Sequence, residues 1–183
     1  FHGGEIDEKN TTRKELDQNI TEHAFQMIES DPDFVNRKST VVFHTEWHKG
    51  VIGIVASRLS DRYYRPTIVL TLTNGHVAGS ARSVKDFDIY NAIESCSDLL
   101  DQFGGHMYAA GLTMKEENVP AFIEKFEKIV AQTIETNSLT KEITVDAVLD
   151  LKEITPKFYK ILKQFSPFGP GNMAPVFQTN NLV

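Results

Sequence analysis

Thr67-Ile68-Val69-Leu70-Thr71-Leu72-Thr73-Asn74-Gly75-His76-Val77-Ala78-Gly79-Ser80 is the stretch that decides the fold. Two β-rich runs flank an Asn-Gly pair, and tight two-residue hairpin turns favour that pair because both central residues must take positive φ. A hairpin over residues 67–80 is therefore predicted, with Pro66 marking the boundary before it. Upstream, residues 40–44 read as a buried strand and residues 50–63 as a helix with Val51, Val55 and Leu59 on one side. Thr12-Arg13-Lys14-Glu15 has the form of a capping box, and Leu16, Ile20, Ala24, Met27 and Ile28 then fall on one helical face. That predicts a first helix to about Ser30, broken by Asp31-Pro32-Asp33. Downstream, helices at about residues 87–100 and 120–134 enclose a strand at about residues 108–114. The layout is α/β, a mixed β-sheet flanked by helices.

Past Asn137-Ser138 the pattern changes. Ile143, Val145, Ala147 and Leu149 alternate as in a strand, and residues 155–165 look helical behind a Thr155 cap with Pro156 in the first turn. Residues 166–175 form a proline and glycine loop, and Val176-Phe177 begins another strand. A strand, a helix and a fresh strand do not close a domain, so this tail is expected to open a second module.

A chain of 183 residues can bury a core and suits one large domain or one and a fraction. Nothing approaches the ~18 consecutive apolar residues of a membrane span, and the polar start lacks a signal-peptide core, so a cytoplasmic address is expected. The single cysteine, Cys96, excludes an internal disulfide and lies among Ile89, Ala92, Ile93, Leu99 and Leu100, as a buried structural thiol would. A net charge of −6 argues against indiscriminate polyanion binding. The charge is uneven, however: residues 47–85 hold Lys49, Arg58, Arg62, Arg65, Arg82 and Lys85 against Asp61 alone, a local +5 that falls to +2 once Glu46, Asp86 and Asp88 are included. This suits a local phosphate-facing surface on an otherwise acidic protein, or, for Arg58 and Arg62, a solvated helix face.

Gly104-Gly105-His106-Met107-Tyr108-Ala109-Ala110-Gly111 gathers three glycines, two alanines and a histidine, a composition suited to close backbone approach. It has two readings: a phosphate cradle of backbone N–H groups plus one imidazole, or a tight turn beside a closely packed strand with His106 merely hydrogen-bonded. Other apparent motifs fail. His44 and His48 are four apart, as in a helical zinc pair, but His44 ends a predicted strand and Glu46 is one place off the metalloprotease spacing. Ser57, Ser80 and Ser83 lack a nucleophile-elbow context, and no carboxylate cluster resembles a two-metal site. No metal site and no catalytic engine are visible in the chain.

Four segments in order resemble one family. They are Trp47-His48-Lys49-Gly50-Val51-Ile52-Gly53-Ile54-Val55-Ala56-Ser57-Arg58-Leu59 followed by Arg65-Pro66, then Gly79-Ser80-Ala81-Arg82-Ser83, then residues 103–111, then Pro167-Phe168-Gly169-Pro170-Gly171-Asn172. Together they are similar to the RecJ family of bacterial single-stranded-DNA-specific exonucleases, and Asn10-Thr11-Thr12-Arg13 resembles the start of that family's linker helix. The glycine-histidine motif alone is shared with DHH-family phosphodiesterases of cyclic dinucleotides or small oligonucleotides, and with the C-terminal part of alanyl-tRNA synthetases. The Pro-Phe-Gly-Pro-Gly-Asn segment favours RecJ. Phe1-His2-Gly3-Gly4 match no part of the family.

The resemblance implies a linker helix over residues 1–30, a DHH-associated nucleic-acid-binding domain over 31–138 and a partial OB-fold domain over 139–183. It implies the substrate-binding portion of a 5′-to-3′ exonuclease of DNA repair and recombination, a hydrolase acting on single-stranded DNA. Manganese or magnesium would be bound by a preceding DHH domain that is absent here, so this polypeptide alone is expected to be inactive and without a cofactor. Single-strand-binding protein is an expected partner. Ser80 and Arg82 occupy the family's phosphate-holding positions, and His106 with Gly104 and Gly105 would face the scissile or neighbouring phosphate, His106 stabilising charge without attacking. Trp47 and His48 would stack on a base or ribose, or Trp47 would pack in the core. The alternatives are a small-nucleotide phosphodiesterase of the same superfamily and a non-catalytic nucleic-acid-binding module.

Overall fold

Asn74 and Gly75 both take positive φ, 51° and 80°, and close the predicted hairpin. The computed structural model describes the backbone of residues 3–180 and the side chains from residue 14 onward. In chain order the first unit carries α1 (Gly3–Glu29), β1 (Thr40–Phe43), α2 (Ile52–Tyr63), β2 (Thr67–Thr73), β3 (His76–Arg82), α3 (Ile89–Glu94), β4 (Gln102–His106), β5 (Ala109–Met114) and α4 (Val119–Thr133). The five strands form one mixed sheet in the order β1-β2-β3-β5-β4, with β1 parallel to β2 and the other pairs antiparallel.

Strand alternation sends successive residues to opposite faces, and each face has its own core. Ile68, Leu70, Val77, Ala81, Leu112 and Met114 pack with Ile89 and Ile93 of α3 and Phe122, Phe126 and Val130 of α4. On the opposite face, Val42 and Val69 pack with Ile20, Ala24 and Ile28 of α1 and with Val55, Ala56 and Leu59 of α2. Helix α2 lies against β2 and β3, while Gly104 of β4 and Gly111 of β5 remain exposed.

Several expectations change. The first helix begins at Gly3, so residues 12–15 lie within it and not at its start. Leu16 is 39% exposed, and Asp17 and Thr21 are buried on the packed face instead. The cause is polar: Asp17 accepts from Arg58 Nη2 of α2 at 2.7 Å, and Thr21 Oγ1 donates to the Asp17 carbonyl at 2.7 Å. The helix expected over 87–100 is short, because Asp88 caps it by accepting from Asn91 N and the Ser95-Cys96-Ser97 run that follows favours turns.

The second unit, Glu142–Val183, has β6 (Ala147–Val148) paired in parallel with β7 (Phe177–Gln178), and α5 (Pro156–Leu162) between them. Thr155 caps α5 by accepting from Phe158 N at 3.2 Å. Phe158 meets Phe177 edge-on at 5.5 Å. The alternation over 143–149 contributes only two strand residues, since Ile143 is 70% exposed with no apolar layer against it.

Candidate nucleic-acid interface

The glycine-rich stretch forms a β-hairpin. Gly104 and Gly105 belong to an edge strand paired with Gly111 and Ala110, and Met107-Tyr108 make the turn. Sequence reasoning missed β4, reading its glycines either as a phosphate cradle or as a tight turn beside a packed strand. The register explains why glycine is needed: at Gly105, φ is +152° and a Cβ would fall 2.3 Å from the Ala109 carbonyl oxygen.

Register also aligns the site. Arg82, Ala109 and His106 form one row across β3, β5 and β4; Ser80, Gly111 and Gly104 form a second; Ala78, Thr113 and Gln102 form a third. By alternation all three rows share the sheet face on which α2 lies. There a groove of about 520 Å³ is lined by Lys49, Gly53, Ser80, Gln102, Gly104 and Gly111, among others. Nothing lies within 4 Å of where a Cβ on Gly104 would stand, so the floor is backbone.

Arg82 is held as a fork at one end. Its Nε donates to Ser57 Oγ at 3.2 Å, and its Nη1 donates to Ser80 Oγ at 3.2 Å and to the Ala81 carbonyl at 2.7 Å. Among the described residues no carboxylate pairs with it and Nη2 donates to none of them. Gly53 makes the approach possible, since a Cβ there would lie 3.1 Å from both Arg82 Nη2 and Ser80 Oγ. A half-buried guanidinium fixed by neutral partners, beside a hydroxyl whose hydrogen is free, is chemically able to hold a phosphate. Sequence reasoning passed over Ser57 as a nucleophile and did not assign Gly53. Their i, i+4 spacing on α2 was the available signal.

His106 is exposed and its Nδ1 accepts from Tyr108 N at 3.2 Å. That acceptor role places the neutral ring's proton on Nε2, which is left to donate. His48 is also exposed and turns back on its own loop, accepting from Gly50 N at 3.0 Å.

Trp47 does not belong to the groove. It is 5% exposed, its indole N–H donates to His23 Nδ1 at 3.3 Å, and its ring stacks on His44 at 5.5 Å, so no base can reach it. The positive stretch is also reduced: Arg58 is spent on Asp17, Arg62 pairs with Glu29 at 3.1 Å, and Arg65 donates to the Phe34 carbonyl at 2.7 Å. Burial holds the Arg65 guanidinium below its ordinary value, with Glu127 opposing. Among the described residues no group of three or more His, Cys, Asp or Glu gathers to hold a metal ion.

The DHHA1 domain family matches residues 36–132, and the RecJ OB domain matches residues 145–183. The chain is 36% identical over 181 residues to the single-stranded-DNA-specific exonuclease RecJ of Bacillus subtilis, covering 98% of this chain and 23% of that protein. It is 31% identical to the Escherichia coli protein of the same name, covering 94% of this chain and 31% of that protein. A crystal structure of RecJ in complex with Mn2+ from Thermus thermophilus superposes with a TM-score of 0.82 at 30% identity, over 96% of this chain and 25% of that one. The chain thus spans about a quarter to a third of the length of these relatives.

Proposed function

This chain belongs to the DHHA1 domain family and is a portion of a RecJ-like protein, and on that footing we propose that its groove holds the phosphates of a DNA single strand for a 5′-to-3′ exonuclease. The supporting observation is the Arg82 fork: three bonds to Ser57, Ser80 and Ala81 fix the guanidinium, none of them to an acid, beside a groove whose floor is backbone. Arg82 Nη2 and the Ser80 hydroxyl would donate to one phosphate, and His106 Nε2 to the scissile or a neighbouring one. Gly104 admits the strand to the sheet, and exposed His48 lies beside the path. In this reading His106 stabilises developing charge and supplies no nucleophile.

Related structures from Thermus thermophilus are complexes with Mn2+ and with Mg2+. The residues described here offer no donor set for such an ion, so we assign the metal, and bond cleavage with it, to the part of the full-length enzyme outside this chain. We keep the division into a linker helix to residue 30, a nucleic-acid-binding domain to 138 and an OB-type segment beyond, near the observed unit boundary at Glu142. DNA repair and recombination in the cytoplasm is the setting that suits this substrate, and single-strand-binding protein, which coats the same strand, is the partner that fits it.

The test is the affinity of this chain for a 5′-phosphorylated single strand at two salt concentrations. Arg82→Ala is expected to weaken binding by roughly tenfold or more, the loss of a charge-assisted pair worth ~1.5–3 kcal/mol, and to flatten the salt dependence. His106→Ala is expected to have a smaller effect in the same direction. Equal affinity in wild type and both variants would overturn the assignment.

A further inference from the structure

A second cavity of about 320 Å³ adjoins the groove and shares Lys49, Ala78, Gln102 and Thr113 with it. The open sheet face therefore continues from the Arg82 row toward the Asn74-Gly75 turn, along β3. Ala78 lies four positions before Arg82, which at ~3.3 Å per residue is about 13 Å of strand. Lys49 stands where the two cavities meet. It is exposed, it precedes α2, and among the described residues no carboxylate pairs with it. At the far end the sign reverses: Asp101 lines the second cavity, its carboxylate 3.4 Å from His76 Nδ1. A phosphate is favoured as far as Lys49 and disfavoured beyond it.

Resting on the phosphate reading above, we propose that Lys49 is a second phosphate-binding residue, holding an internal phosphate of the strand whose end is gripped by Ser80 and Arg82. The roughly 13 Å of strand from the Arg82 row to the Ala78 row, which lines both cavities together with Lys49, matches at most about four nucleotides of stacked strand at 3.4 Å each, and fewer when the strand is stretched. The two cations thus define a short footprint: a mononucleotide reaches one of them, and a short oligonucleotide reaches both. Lysine suits the outer position because a flexible ammonium follows a backbone without fixing its orientation, whereas the arginine fork fixes the end.

The experiment compares a thymidine 5′-mononucleotide with a 5′-phosphorylated thymidine hexanucleotide, binding each to the wild-type chain, Lys49→Gln, Lys49→Arg and Arg82→Ala. Lys49→Gln should leave the mononucleotide unchanged and weaken the hexanucleotide roughly fivefold, with the salt slope reduced by about 0.7. Lys49→Arg should restore both. Arg82→Ala should weaken both ligands. If Lys49→Gln weakens both ligands equally, or neither, while Arg82→Ala weakens both, the Lys49 subsite is wrong and the phosphate site stands. If Arg82→Ala changes neither, the phosphate reading fails and this subsite with it.

Discussion

Neighbouring glycines of β4 differ in what a single methyl group would do to them. At Gly105 a Cβ would sit 2.3 Å from the Ala109 oxygen and 2.5 Å from Ala110 Cα, with φ at +152°. Gly105→Ala is expected to destabilise the chain by about 2 kcal/mol or more, seen as a drop of several degrees in Tm. At Gly104 nothing lies within 4 Å. Gly104→Ala should keep its Tm and instead lose affinity for a phosphorylated strand, because the methyl stands in the groove. A lowered Tm in Gly104→Ala would contradict the open floor. Burial pushes the Cys96 thiol up from 9.0 to about 11, so the fold prefers the neutral form. That preference contributes fully below pH 9 and is lost as pH rises toward 11, because the unfolded chain ionises first. Thermal unfolding should fall more steeply across pH 9–11 in wild type than in Cys96→Ala, and parallel curves would remove Cys96 from the account. A thiol reagent at neutral pH should label the chain only after denaturation.

Between elements, the α1–α2 contact is tied by a carboxylate that is 7% exposed and a guanidinium that is 40% exposed, Asp17 and Arg58. Arg58→Ala strands that carboxylate and is expected to cost about 2–3 kcal/mol, less than a fully buried pair because solvent screens the arginine. Adding Asp17→Asn should recover part of the loss in chemical denaturation, and strictly additive effects would mean the two do not interact. The same contact shows what the residues could and could not announce. Asn74-Gly75 was legible because turn chemistry is local and both residues take the φ their types favour. Strand β4 was not: Gln102-Phe103-Gly104-Gly105-His106 holds no β-branched residue, and its strand conformation comes from pairing with β5. Trp47 was only half legible, as a base stack or as core, since its hydrogen-bond partner His23 lies 24 positions away. The Ser80 and Arg82 motif was visible as a motif, but the fork needs Ser57, which reaches Arg82 only because α2 lies over β3. Likewise Leu16 yields its place to Asp17 because Arg58 arrives from another helix.

Across the molecule, both apolar clusters lie within the unit ending at Lys141. A chain stopped at Lys141 is expected to unfold in one cooperative transition near the Tm of the first unit in the longer chain, and to bind the phosphorylated strand as tightly. Loss of either property would show that residues 142–183 support the groove. The sheet itself explains why a groove exists: five strands are offered to α2, and the helix lies against β2 and β3. What it leaves open on β5 and β4 is Gly111 and Gly104, with Gly53 of the helix as the wall. At Gly104 and Gly111 the floor is peptide backbone with no side chain to tell one nucleobase from another, and on the phosphate reading proposed above Ser80, Arg82 and Lys49 would address the repeating anion. On the exonuclease reading proposed above, the strand would present every order of bases, and any pocket tuned to one of them would be a place to stall. On that reading indifference would be made by omission at Gly104 and Gly111, each missing side chain being one fewer opinion about the text being read.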